Sequence, residues 1–243
     1  MSQIPVSELL RRLALGELKN HKMASANNGT ILAADRPQVI MEINNALTEL
    51  FTKFLLSQKE LVVNTETTLT HYFLRYEFAF SNIASTQPIK YIDDSGWENW
   101  DGRIVKILNV FDALGRELYM NKSQEPLSVF TPQYDCLQIL ANQQTEDFYV
   151  IVQALHPAVD YNPAPVNPVV NTIIENLPPA LEKPLELLVA SKIYGNMNGE
   201  ANLTKSAILH QAYEAKLAEA ELRDTISVSE NASNSKLEQN GFI

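Results

Sequence analysis

The side chains in this chain that could do chemistry are few, and their spacing limits what they can do. Asp93 with Asp94 and Glu146 with Asp147 form adjacent carboxylate pairs. Glycosidase or nuclease work needs carboxylates that converge in a cleft, which adjacency does not provide. Asp93, Asp94, Gly96 and Asp101 do not match a calcium loop. The histidines are His21, His71, His156 and His210, and none has a second His or a Cys at metal-ligand spacing. Structural or solvated roles are expected for all four. Cys136 is the single cysteine. It can form no disulfide within the chain and no thiolate zinc site, and it reads as a small apolar group. There is no G-x-x-x-x-G-K phosphate loop, no G-x-G-x-x-G and no H-E-x-x-H. The expectation is therefore no catalytic, cofactor-binding or metal-binding residue, and no enzyme.

The oddest local cluster is Gly96-Trp97-Glu98-Asn99-Trp100-Asp101-Gly102. Two readings stand for it. Trp97 and Trp100 form a partner-contact loop for a sugar or a protein, or they are plugs that cover the strands beside them.

Composition narrows the field further. The chain has 243 residues, a mass of 27.3 kDa, a formal charge of −10 and a pI near 4.9. A protein that coats DNA or RNA carries positive charge on its binding surface, so this balance argues against that class. The apolar fraction of 45% is enough for a core. No Lys or Arg lies between Lys122 and Lys183, a stretch that carries Glu125, Asp135, Glu146, Asp147, Asp160 and Glu175. No apolar run reaches the roughly 18 to 20 residues of a membrane helix. Residues 1–8 lack the basic and apolar segments of a secretory leader, so cytoplasmic synthesis and no membrane partner are expected.

The elements that must position these residues follow from periodicity. Ser7 is the expected cap of a short first helix striped by Leu9, Leu10, Leu13 and Leu18, with residues 20–34 as a loop. Asp35 caps a second helix with Pro37 in its first turn, running to about Gln58. Its apolar face is Val39, Ile40, Ile43, Leu47, Leu50, Phe51, Phe54 and Leu55. Strands are expected at 61–63, 67–80, 89–92, 103–111, 117–119 and 148–155, with Val129-Phe130-Thr131-Pro132 ending an element. A proline-marked connection spans 157–169. Leu177-Pro178-Pro179-Ala180 opens a third helix in which Pro184 implies a kink or a later start. The fourth helix begins at Leu203 or Thr204 and ends near Thr225, with Ile208, Leu209, Ala212, Leu217 and Leu222 as its buried stripe. The fold class is thus α+β. Residues 1–60 and 170–226 form a helical body of about four helices, 61–156 an inserted, mostly antiparallel β domain, and 227–243 an extended tail.

That tail is polar until it ends on Gly241-Phe242-Ile243. A polar segment costs entropy to order. Ending it on two apolar side chains suits either a frayed terminus or a segment that docks in a partner's pocket.

Taken in order, three stretches resemble the head-to-tail adaptor (connector) proteins of short-tailed bacteriophages, the tail tubular protein A family. The first is Val6-Ser7-Glu8-Leu9-Leu10-Arg11-Arg12-Leu13-Ala14-Leu15-Gly16-Glu17-Leu18, leading into Ala34-Asp35-Arg36-Pro37 and the helix Ile43 to Phe54. The second runs from Leu177-Pro178-Pro179-Ala180 through Pro184 to Tyr194. The third is Asn240-Gly241-Phe242-Ile243, where Phe242 stands in the place of the family's usual Trp. Phe111-Asp112, Gly115-Arg116-Glu117-Leu118, Val129-Phe130-Thr131-Pro132 and His156-Pro157 are similar in type. The resemblance implies a dodecameric ring in the virion, beneath the portal protein, with packaged double-stranded DNA crossing its channel without specific contact. It implies a tail with Leu237, Gly241, Phe242 and Ile243 docked on the portal, and a β domain facing the tail nozzle protein. A distal tube or nozzle subunit is the nearest alternative, and a hydrolase using acidic residues of the β domain a more remote one.

Overall fold

Pro5 and Val6 begin the first helix. The computed structural model describes residues 3–25, 28–95, 99–140, 147–160 and 172–222. Helix α1 (Val6–Leu15) takes Pro5 as its N-cap with no side-chain cap bond, so Ser7 sits inside the first turn and does not cap. Val6, Leu9, Leu10, Leu13 and Ala14 are buried. Gly16 closes the helix by donating to the Arg12 carbonyl at 2.8 Å, and a Cβ there would stand 2.9 Å from that oxygen. Just before α1, strand β1 (Ile4–Pro5) pairs antiparallel with Ile173–Ile174.

The expected loop after α1 contains a short hairpin, β2 (Ala24–Ser25) with β3 (Thr30–Ile31). Gly29 turns it at φ +60, a region a side chain rarely adopts, and lies against Leu15. Helix α2 (Arg36–Lys53) begins after Asp35 with Pro37 in its first turn, as expected, but the Asp35 side chain makes no cap bond. It stops at Lys53, five residues before Gln58. Phe54 is already extended, because residues from Gln58 onward are held in a sheet.

The second half of this helical unit is a helix pair. After β11 (Ile173–Ile174), α3 (Pro179–Gly195) continues past the buried Pro184 without interruption. The helix starts at Pro179, so the missing N–H of Pro184 falls only one turn beyond the positions that need none. Gly199 at φ +113 turns the chain into α4 (Glu200–Leu222), which packs along α3. Glu49 of α2 ties the bundle together: its Oε2 lies 3.0 Å from Lys192 Nζ of α3, and its Oε1 accepts from Tyr213 Oη of α4 at 3.1 Å. Arg12 of α1 reaches Glu182 of α3 at 2.7 Å.

Contacts divide the chain into Met1–Leu56 with Ala158–Ile243, which is the helical unit, and Ser57–Pro157, which is the β unit. The β unit is inserted between two parts of the helical one, an α+β architecture. It contains β4 (Gln58–Val63), β5 (His71–Phe73), β6 (Ile92–Asp93), β7 (Ile104–Phe111), β8 (Phe130–Gln133), β9 (Cys136–Gln138) and β10 (Phe148–Ala154). One antiparallel sheet has the order β6-β4-β10-β7, the other β5-β9-β8. Tyr72, Leu74, Tyr91, Trp100, Val110, Leu137, Phe148, Val150 and Val152 are buried in its core.

Three expected strands are shorter or absent. The run 67–80 keeps its period of two only through Tyr72 and Leu74. A turn of 3-10 helix at Tyr76–Phe78 then breaks it, and Tyr76 and Phe80 are exposed. Of 89–92 only Ile92 is in a strand, and 117–119 gives one bridge, Phe111 to Glu117. Pro132 ends nothing. It lies inside β8, at an edge, where the pairing with β9 shifts register between Phe130 and Gln133.

Candidate functional site on the helical unit

The sequence-expected site residues fall in very different places. Leu237, Gly241, Phe242 and Ile243 of the tail, and Trp97, lie outside the described residues. Trp100 is 1% exposed. Its Nε1–H donates to the Leu74 carbonyl at 3.0 Å, and its backbone N–H donates to Asp94 Oδ2 at 2.9 Å. Trp100 is therefore a plug of the β core and offers no surface to a partner, which corrects the contact reading for that residue.

The remaining candidates are held by local structure. Asp94 is buried, which opposes its charge, but Ser81 and Trp100 donate to it and hold its carboxyl below the usual value. Asp93 accepts from the backbone N–H of Ser95 at 3.0 Å. Burial pushes the Cys136 thiol up, with Asp135 adding to it, which disfavours the reactive thiolate. His21 and His156 are buried, and burial holds both imidazoles below the ordinary histidine value. His71 and His210 are exposed, His210 lying 3.5 Å from Glu214. Among the described residues no group of three or more His, Cys, Asp or Glu could hold a metal ion.

The most informative surface is on α4. The expected single stripe splits in two. Leu209, Tyr213, Leu217 and Ala220 face α3 and are buried. Ile208 is 56% exposed and Leu222 is 88% exposed. At 100° per residue, Thr204, Ile208, Gln211, Ala215, Ala218 and Leu222 line one face, opposite the buried one. All six are exposed and none is charged. Charged residues flank this face on both sides: Lys205, Lys216 and Glu219 on one, Glu214 and Glu221 on the other. Spacings of four and three with flanking charges are the pattern of a helix face that can pack against another helix. The signal was legible in the sequence, since adjacent Ile208 and Leu209 cannot centre the same stripe.

No family model matches this chain, and no curated protein matches it significantly.

One further feature of the helical unit escaped sequence reading. A cleft of about 640 Å³ opens between α2, α3 and α4, lined among others by Glu42, Asn45, Ser191, Asn196, Ser206 and His210. Glu42 is only 3% exposed. Asn196 donates to its Oε1 at 2.7 Å and Asn45 to its Oε2 at 3.1 Å. Glu42 sits beside Ile43 on the apolar side of α2, where a charged residue reads as an interruption of the stripe rather than as part of a cleft.

Proposed function

We propose that this chain is a structural, non-enzymatic subunit of a ring that joins a short-tailed phage head to its tail, an adaptor beneath the portal. The observation that carries this reading is the uncharged outer face of α4, from Thr204 to Leu222, opposite the face packed on α3. A helix with a buried apolar face and an uncharged face opposite it can be covered twice: once by its own chain and once by a neighbour. Pairing of unlike faces from identical chains propagates around an axis, and closes into a ring when the rotation between neighbours divides a full turn.

The charge balance supports the same reading. A net charge of −10 suits a channel wall along which DNA passes without the phosphate neutralisation that creates tight binding. The order of the three sequence stretches supports the portal and the nozzle protein as the flanking partners. In this proposal residues 227–243 dock on the portal, and α2 and α4 close the ring. No helix is long and apolar enough to cross a membrane among the described residues, and none is needed for this role.

The test is the mass of the purified chain by light scattering, alone and mixed with the matching portal protein. The expected result is joining of the portal in ring stoichiometry, and loss of co-sedimentation when residues 227–243 are deleted. Undiminished portal binding by the truncated chain removes the docking role. A chain that stays monomeric and ignores the portal overturns the adaptor reading.

A further inference from the structure

We propose that the cleft between α2, α3 and α4 is a binding site for a primary ammonium group, with Glu42 as its counter-charge. Glu42 is a buried carboxylate whose hydrogen-bond partners are two neutral amides, and among the described residues no cation pairs with it. A buried carboxylate is costly without a positive partner. The setting sharpens that need. Asn196 is the C-cap of α3, so Glu42 is tied to the helix end where the peptide dipoles present negative charge.

The chemistry of the lining selects the ligand. The Ser191 hydroxyl donates its hydrogen bond to the Ser206 carbonyl, and the Ser206 hydroxyl donates its own to the Ser191 carbonyl. Asn45 and Asn196 use their N–H groups on Glu42, which leaves their side-chain carbonyls as acceptors. Glu42 keeps lone pairs beyond the two that are engaged. The acceptor capacity that remains here is centred on the Glu42 carboxylate and the two asparagine carbonyls. The complementary ligand is a group with several donors, no acceptor and a positive charge, which describes an alkylammonium. Lys192 also lines the cleft, but its Nζ is answered by Glu49 at 3.0 Å.

An ammonium can come from a lysine of a second copy or from a free diamine. The site is tested with cadaverine, which carries the lysine head group on a similar stem. The full chain is titrated by calorimetry at low salt, with sodium chloride at equal ionic strength as the control. The expected result is saturable binding that weakens about tenfold or more in Glu42→Gln, an isosteric change that removes the charge and turns one acceptor oxygen into a donor. Ala207→Lys provides a second variant at an exposed position on the cleft wall, where a tethered ammonium should abolish cadaverine binding with the fold retained. Absence of binding, or equal binding by wild type and both variants, overturns the proposal. Light scattering of the assembled chain then separates the sources. A fall in mass with Glu42→Gln assigns the amine to a second copy, and an unchanged mass with cadaverine bound assigns it to a free diamine. The calorimetry reads the site whether or not a ring forms, so the two proposals fail separately.

Discussion

Ser191 and Ser206 each donate a hydroxyl hydrogen bond to the other's backbone carbonyl, at 3.0 Å and 2.8 Å, across the α3–α4 crossing. Two small side chains let the helices approach closely, and Gly195 continues the small surface: a Cβ there would stand 3.1 Å from Ser206 Oγ. Ser206→Ala should cost about 1 kcal/mol through the lost bond. Ser206→Leu should cost about 1–3 kcal/mol by forcing the helices apart. Urea unfolding followed by helical circular dichroism checks the order; a leucine variant as stable as wild type removes the close-packing account.

The two faces of α4 separate stability from assembly. Leu209→Ala, on the buried face, should destabilise the chain by about 2–5 kcal/mol. Ile208→Glu, one residue away and exposed, should leave stability within about 0.5 kcal/mol and lower the mass of the assembled chain. If Ile208→Glu assembles normally, the outer face is not the seam.

Trp100 can be dissected by a change that keeps its ring character. Trp100→Phe removes the Nε1–H that satisfies the buried Leu74 carbonyl. A loss of about 1–3 kcal/mol is expected for stranding that oxygen, beyond any cost of the smaller ring. The tryptophan emission of the wild type should be blue-shifted for the buried indole, and a variant of unchanged urea midpoint would show that the bond contributes nothing.

Acid should weaken the fold in a defined window. His21 Nδ1 accepts from the Met23 N–H, and burial keeps the ring below the ordinary histidine value. His156 is buried likewise. The unfolded chain therefore binds more protons than the folded one just below the free-histidine value of about 6.5. The contribution of the neutral rings is complete above that pH and is lost as pH falls through the folded values. The urea midpoint should drop between about pH 7 and pH 5, and His21→Gln and His156→Gln should each flatten part of that slope. A midpoint independent of pH over this range contradicts the assignment.

Most of the helices were legible because periodicity and punctuation agree in them. Asp35 and Pro37 start α2 where expected, and Pro178 and Pro179 start α3. What failed was decided by distant partners. The end of α2 is set by sheet pairing of Gln58 onward with β10, which no local signal at Phe54 announces. The 67–80 run is aromatic-rich and alternates, but Leu74 and Tyr76 diverge because Leu74 is bound by Asp135 and Trp100 while Tyr76 enters a 3-10 turn. The Glu42 cleft was illegible for the same reason: its asparagine partner on α3 lies 154 positions along the chain.

The pairing of Ile4 with Ile174 has a consequence for the order of events on the ribosome. Everything that α1 and α2 bury against α3 is made only after the whole of Ser57–Pro157 has been synthesised. At about 5–20 residues per second that insert takes roughly 5 to 20 s to emerge. During that interval the apolar faces of α1 and α2 wait without their partners, while the β unit, continuous in sequence, is free to fold first. The nascent chain is then most exposed to aggregation through its earliest helices. A chaperone that protects it would have to act on residues 1–56 before α3 leaves the exit tunnel.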